Sequence, residues 1–105
     1  MTLPMIDKLG ITNEYKLFKE IPLVPFAVWW IEAEKFGGSD ETWRVKSQKY
    51  VIELFTSEKD FELEEKFEEA IPASDIEKTE EYIISENVFC ITYRYTVIKK
   101  RRLKQ

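Results

Sequence analysis

The chain has 105 residues, of which 44% are hydrophobic and 34% are charged, and its formal net charge is −4. These values predict one globular domain over residues 1–105 rather than a disordered chain. The longest apolar run is well short of the ~18 residues that a membrane helix needs, which argues against a membrane partner. A single cysteine and an N-terminus unlike a signal peptide favour a reducing compartment.

The charge is unevenly distributed along the chain. Residues 1–98 contain 11 basic and 20 acidic side chains, whereas residues 99–105 contain five basic side chains and no acidic one. We interpret residues 99–105 as a basic C-terminal tail, either frayed in solvent or in contact with phosphate or an acidic neighbour. The acidic remainder argues against a nucleic-acid partner.

The first 24 residues predict a short helix followed by a connector. Residues 2–9 have Thr2 as a potential N-cap and Gly10 as a potential helix end. Residues 11–24 carry scattered apolar anchors, and two prolines near their end favour extended backbone. We therefore expect no strand before residue 25.

A long β-hairpin is predicted next. Residues 25–34 form a strand that is apolar on both faces, residues 35–42 form a mobile glycine-containing tip, and residues 43–56 form the return strand. Because successive residues of a strand face opposite sides, Trp29 and Trp30 cannot enter the same core.

The second half predicts a helix and a second hairpin. Residues 58–70 combine an apolar stripe with an acidic face, and Ser57 is placed to cap them. Residues 75–84 and 88–98 form the last two strands. The order α-β-β-α-β-β predicts an α+β fold: a four-stranded, largely antiparallel sheet with two helices on one face.

The residue types argue against catalysis. Histidine, the commonest general base and metal ligand, is absent. Cys90 lies in the middle of a predicted strand, where packing explains it better than nucleophilic chemistry. Glu32, Glu34 and Lys35 faintly resemble a nuclease metal motif, but acidic residues are so frequent here that chance explains the match. We expect no enzyme activity, no cofactor and no metal.

Aromatic residues make up 14% of the chain and are interleaved with basic ones. The best nucleic-acid patch by this pattern consists of Trp43, Arg44, Lys46, Lys49 and Tyr50. Core packing and subunit contacts explain these aromatic residues more simply, since the body is acidic and no nucleic-acid motif accompanies them. We therefore expect no specific nucleic-acid partner.

Several short motifs, in order along the chain, are similar to those of one known family. They are Tyr15-x-x-Phe18, Pro25-Phe26, Gly37-Gly38, Tyr50-x-Ile52-x-Leu54-Phe55-Thr56, Lys59-Asp60 with Glu64 and Phe67, and Phe89-x-Ile91-x-Tyr93-x-Tyr95. The ordered set resembles the tail-completion, or tail-terminator and head–tail joining, proteins of siphophages and prophages of Gram-positive bacteria. The double tryptophan and the basic end depart from the family pattern.

The resemblance implies a structural virion protein that forms a ring, typically a hexamer, on the end of a long non-contractile tail. Its implied partners are further copies of itself, the tail-tube protein and the head connector, and its implied location is the virion, or the host cytoplasm during assembly. The residues that we expect at the subunit interface are Trp29, Trp30, Phe36, Trp43, Lys99, Lys100, Arg101 and Arg102. The alternative is a small prophage regulatory or inhibitor protein that binds a host factor through its acidic helix.

Overall fold

The computed structural model of the protein describes residues 1–38 and 43–102. It consists of one twisted sheet with two short helices. In chain order the elements are α1 (Pro4–Asp7), β1 (Thr12–Tyr15), β2 (Phe26–Gly37), β3 (Trp43–Thr56), α2 (Phe61–Ala70), β4 (Ile76–Ile83) and β5 (Val88–Arg102).

The sheet has five strands in the order β1-β2-β3-β5-β4, and it is mixed. β2, β3, β5 and β4 pair antiparallel, but β1 runs parallel to β2. The prediction of a four-stranded, largely antiparallel sheet in the order α-β-β-α-β-β is therefore wrong: β1 is inserted between the first helix and the hairpin.

The strand β1 was predicted as a connector because it is only four residues long and has no run of alternating apolar residues. Asn13 holds it in place instead. The Oδ1 atom of Asn13 accepts a hydrogen bond from the backbone N–H of Leu3 at 2.7 Å, and its Nδ2 atom donates to Asp7 Oδ1 at 2.9 Å. The strand ends where Lys16 adopts a φ of 65°. A buried amide thus joins α1 to the sheet, in addition to the apolar contacts of the helix.

Both helices pack on the same face of the sheet, and this face forms the core. Ile6 of α1 and Phe67 of α2 are fully buried against it. The buried sheet residues in this cluster are Ala27, Trp29, Ile52, Leu54, Ile91, Tyr93 and Tyr95. They alternate along β2, β3 and β5, as expected for side chains on one face of paired strands.

The helix α2 begins at Phe61 rather than at residue 58. Asp60 is its N-cap, and the Asp60 carboxylate accepts a hydrogen bond from the backbone N–H of Leu63 at 3.0 Å. The choice of Ser57 as the cap was therefore wrong. An aspartate cap satisfies one of the free N–H groups of the first turn and complements the positive end of the helix dipole.

The sheet extends far beyond its helices. A bulge near Glu32 interrupts the pairing of β2 with β3, and past it the three strands β2, β3 and β5 continue alone. We call residues 33–37, 43–49 and 96–102 the β arm, and residues 1–32 and 50–95 the body. The radius of gyration is 16.0 Å, against about 13 Å for a compact chain of this length. The molecule measures 54 × 28 × 23 Å.

The residues predicted as a basic tail contribute to this arm. Lys99 to Arg102 belong to β5 and pair with Lys46 to Trp43 of β3, respectively. Of the predicted mobile tip, residues 35–37 belong to β2, and residues 39–42 lie outside the described part of the chain.

Candidate subunit interface

The two adjacent tryptophans occupy opposite faces of the sheet. Trp29 lies in the core and is only 4% exposed. Its ring contacts Tyr15 edge-on, with ring centroids 4.8 Å apart, and stacks on Tyr50 at 6.1 Å. In the folded subunit, the Trp29 side chain is therefore almost inaccessible to a binding partner.

Trp30 is half-buried on the other face of the sheet. We call this the helix-free face, and it consists of Phe26, Val28, Trp30, Val51, Glu53, Phe55, Cys90, Thr92 and Arg94. Near β1 the connector covers part of it, where Phe18 packs edge-on against Phe26 at 5.6 Å. Phe26 in turn stacks on Phe55 at 4.9 Å. Val51 and Cys90 on this face are buried, whereas Trp30 is only half-buried.

The remaining aromatic candidates lie in the β arm. Phe36 is 63% exposed, and the Lys46 Nζ atom lies 5.6 Å from the centre of its ring. The backbone of Trp43 pairs with Arg102 at the far end of the arm; its side chain lies outside the described set. Phe36 and Trp30 both belong to β2, but Phe36 lies in the arm and Trp30 in the body.

The charges divide sharply between the arm and the body. The arm has eight basic side chains and one acidic one, Glu34, whereas the body has seven basic and seventeen acidic side chains. Two arm lysines have acidic partners: Lys46 lies 3.9 Å from Glu34, and Lys49 lies 3.4 Å from Glu32. The predicted interface residues Lys99, Lys100, Arg101 and Arg102 are all exposed. The arm is therefore a positively charged projection from a negatively charged body.

An ion-pair network docks α2 on β4, and the helical pattern of the sequence does not predict it. Glu64 is only 2% exposed although it stands in the acidic face of the helix. Its carboxylate lies 2.7 Å from Lys59 Nζ and 2.8 Å from Lys78 Nζ. Lys59 also pairs with Glu80, and Lys78 with Glu68 at 3.0 Å. Part of the acidic face of α2 is thus used in contacts within the subunit.

The two lysines set the ionisation of Glu64. Burial raises the pKa of this carboxyl, but hydrogen bonds from Lys59 and Lys78 outweigh burial and leave the pKa below its usual value of 4.5. Burial likewise lowers the pKa of each lysine, and the carboxylates outweigh it and raise both values above 10.5. All three groups are therefore charged across the neutral range.

The residues considered for catalysis, Cys90, Glu32 and Glu34, are buried or paired with other side chains. Burial, followed by the negative charge of Glu53, raises the pKa of the Cys90 thiol to about 12, so this thiol is a poor nucleophile at neutral pH. Glu32 pairs with Lys49, whereas Glu34 accepts a hydrogen bond from Gln48 Nε2 at 2.9 Å. The bulge at Glu32 thus directs the two carboxylates to different partners. In the described part of the chain, no three potential metal ligands cluster.

An open cleft of about 880 Å³ lies beside the first residues of β4, where the arm begins. Its walls come from the turn before β4 and from the side of β5. The lining residues include Asp75, Ile76, Arg94, Tyr95 and Ile98. Ile98 is 64% exposed there, so the cleft has an apolar patch between basic and acidic side chains.

No helix among the described residues is long and apolar enough to span a membrane.

Comparisons with known proteins show a likeness at the level of backbone structure alone. No family model matches the chain, and no curated protein does. A chain in a structure described as the virion of a native gene transfer agent particle superposes with a TM-score of 0.49 at 14% identity. The alignment covers 93% of this chain and 87% of that chain. The partners of this protein are therefore inferred from its own surfaces.

Proposed function

We propose that the protein is a structural virion protein that forms a ring at the end of a long tail, where it completes the tail or joins it to the head. The observation that carries this proposal is the separation of charge between the β arm and the body. A molecule with one basic and one acidic end is complementary to further copies of itself in a head-to-tail arrangement. Such heterologous contacts close into rings when the rotation between subunits permits.

Two further features support assembly rather than an isolated monomer. The helix-free face leaves Trp30 half-exposed, and large aromatic side chains are favoured at protein interfaces. The ordered motifs between Tyr15 and Tyr95 resemble tail-completion proteins, whose partners are the tail tube and the head connector. The site for these partners comprises Trp30, Phe36, Trp43 and the basic residues of the arm.

We also propose that the protein acts by binding and not by catalysis. Glu32 and Glu34 have separate partners, and the Cys90 thiol is protonated at neutral pH. Nuclease activity that depended on divalent metal and was lost in Glu32→Gln would overturn this part of the proposal.

The experiment that tests the role uses virions. The gene is deleted in the phage or prophage that encodes the chain, and the particles are imaged by electron microscopy. We expect tails of irregular length and unattached heads, both restored by the wild-type gene. Immunogold labelling should place the protein at one end of the tail. The proposal would be refuted if the deletion strain produced normal particles and the protein were absent from wild-type virions.

One observation favours a different role. Glu62, Glu65 and Glu69 are exposed along one side of α2, and they would suit a basic surface on a host factor. This is the regulatory or inhibitor alternative. Sizing separates the two proposals, because an inhibitor of this kind is expected to remain a monomer or dimer at high concentration, whereas a ring-forming protein reaches higher oligomers.

A further inference from the structure

The side of β5 in the arm is an open sheet edge. β4 pairs with β5 only from Val88 to Tyr95, so residues 96–102 have β3 as their one hydrogen-bonded neighbour strand among the described residues. These seven residues have unpaired backbone groups on the side where β4 would continue. An edge of this kind is a template for another strand.

The outer side of β4 is a second open edge, and its length matches the first. β4 has eight residues and occupies the end of the sheet, with β5 as its one neighbour in the described structure. At about 3.3 Å per residue, each edge is roughly 23–26 Å long. A strand of this length would fill the open edge of β5 from the cleft to Arg102.

The two edges carry opposite charge on the helix-free side of the sheet. The register with β5 places Glu77 and Glu81 of β4 on this side, and both are exposed. Lys100 and Arg102 of β5 lie on the same side and are also exposed. None of these four side chains has an ion-pair partner within the described structure. Each pair of side chains is therefore available to a partner of the opposite charge.

Charged side chains on an edge strand ordinarily prevent sheets from joining. Here the effect is selective, because β4 against β4 brings acid against acid, and β5 against β5 brings base against base. Only the unlike pairing, β4 with β5, avoids this repulsion. Specificity of this kind combines an attractive contact with repulsion of the wrong ones.

We infer that the open edge of β5 in one copy pairs with the outer edge of β4 in a second copy, so that the sheet continues from subunit to subunit. The cleft receives the end of the incoming strand, with Ile98 as an apolar contact. This inference rests on the proposed self-assembly and identifies the contact that produces it. It assigns the acidic side of the interface to β4 rather than to the exposed acids of α2.

Reciprocal charge reversal tests the pairing. The first variant is Lys100→Glu with Arg102→Glu, and the second is Glu77→Lys with Glu81→Lys. Mass is measured by light scattering over a range of concentrations, after circular dichroism has shown that each variant is folded. We expect each variant alone to self-associate more than about tenfold more weakly than the parent. An equimolar mixture should assemble again, because each variant then finds its opposite on the other.

Two controls make the result specific. Lys19→Glu with Lys66→Glu changes the net charge as the first variant does, away from both edges, and should leave assembly unchanged. Glu62→Lys with Glu65→Lys reverses two exposed acids of α2. If this helix variant abolishes assembly and the β4 variant does not, the strand pairing is wrong and the proposed ring stands.

The remaining outcomes are also decisive. Assembly of both edge variants at parental strength would overturn the pairing while leaving the ring intact. A parent protein that stays monomeric at every concentration would overturn the pairing. Absence of the protein from virions would separately refute the proposed function. The pairing would also be refuted if the parent bound duplex DNA at ~0.15 M salt, and Lys100→Glu with Arg102→Glu abolished that binding but left self-association unchanged.

Discussion

Trp29 and Trp30 are neighbours in the chain, yet Trp29 is sealed between Tyr15 and Tyr50 in the core while Trp30 lies half-buried on the helix-free face. The alternation of side chains along β2 is sufficient to place the two tryptophans on opposite faces of the sheet. One tryptophan therefore contributes mainly to the stability of the subunit, and the other is available to a partner.

Single replacements should separate these two roles. Trp29→Ser leaves a large cavity in the core and should destabilise the protein by about 3–5 kcal/mol. Trp30→Ser removes a half-buried ring and should cost about 1–2 kcal/mol. In thermal unfolding followed by circular dichroism, Trp29→Ser should therefore show much the larger fall in melting temperature.

The assembly measurement should show the reverse order. Trp30→Ser should weaken self-association in light scattering at a temperature where the variant is folded, and Trp30→Tyr, which keeps an aromatic ring, is the matched control. Equal melting temperatures for the two serine variants would contradict the core position of Trp29. Parental assembly of Trp30→Ser would remove this residue from the interface.

The strand β1 provides a second test, because a buried polar side chain helps to hold it. Asn13 is 4% exposed, and besides its bonds to Leu3 and Asp7 it donates to the Ile11 carbonyl at 3.0 Å. Asn13→Ala removes all three bonds and leaves the partly buried Leu3 N–H without its partner. We expect a loss of about 2–4 kcal/mol.

The position of this loss is as informative as its size. Amide exchange should become faster in residues 1–15, whereas β3 and β5 should retain their protection. Asn13→Asp keeps the acceptor for Leu3 but brings a second carboxylate against Asp7, so it should be no better than alanine at neutral pH. Uniform loss of protection over the whole sheet would show that β1 does not unfold separately.

The sequence predicted some elements well for physical reasons that the structure makes clear. The return strand was predicted at residues 43–56, and this was confirmed, because it is central and its alternation reflects one covered face. β1 escaped prediction because a short strand at the edge, paired parallel, needs little apolar pattern. The sequence did not predict the continuation of β5 to Arg102, because residues 99–102 are all charged. These charges are tolerated because residues 98–102 are exposed.

The candidate interface could be predicted only in part. Alternation showed that the two tryptophans must separate, but it did not show which one the helices cover. That depends on where α2 returns to the sheet, and Phe67 and Ile71 place it over Trp29's face. Helical spacing also treats Glu64 and Glu65 alike as acids, although one is buried between two lysines and the other is exposed.

The Cys90 thiol should be unreactive in the native protein. It is 4% exposed, and its pKa of about 12 leaves very little thiolate at neutral pH. Alkylation by iodoacetamide, followed by mass spectrometry, should be slow in buffer and fast in denaturant. Cys90→Ser should retain the fold at a modest cost in stability. Rapid labelling under native conditions, without loss of structure, would show that the helix-free face around Cys90 opens readily.

The network around Glu64 should make the stability of the protein depend on acid. The folded-state pKa of Glu64 lies below its ordinary value of 4.5, so the unfolded chain binds a proton more readily than the folded one. Its stabilising contribution is therefore fully present above about pH 4.5 and is lost as the pH falls through the lower folded-state pKa. The raised pKa values of Lys59 and Lys78 act at the other limit, where stability is lost as the pH rises above about 10.5.

Replacing Glu64 should remove part of this dependence. Glu64→Gln keeps the shape of the side chain but leaves two lysine ammonium groups facing each other, and because both lysines are partly exposed we expect a loss of about 1–3 kcal/mol at pH 7. Denaturant unfolding should be measured at pH 7 and at several values below 4.5. The difference between parent and variant should shrink as the pH falls, since protonation also neutralises Glu64 in the parent. Glu65→Gln, at the exposed neighbouring position, should show almost no difference at any pH, and a constant gap for Glu64→Gln across the whole range would refute the charged network.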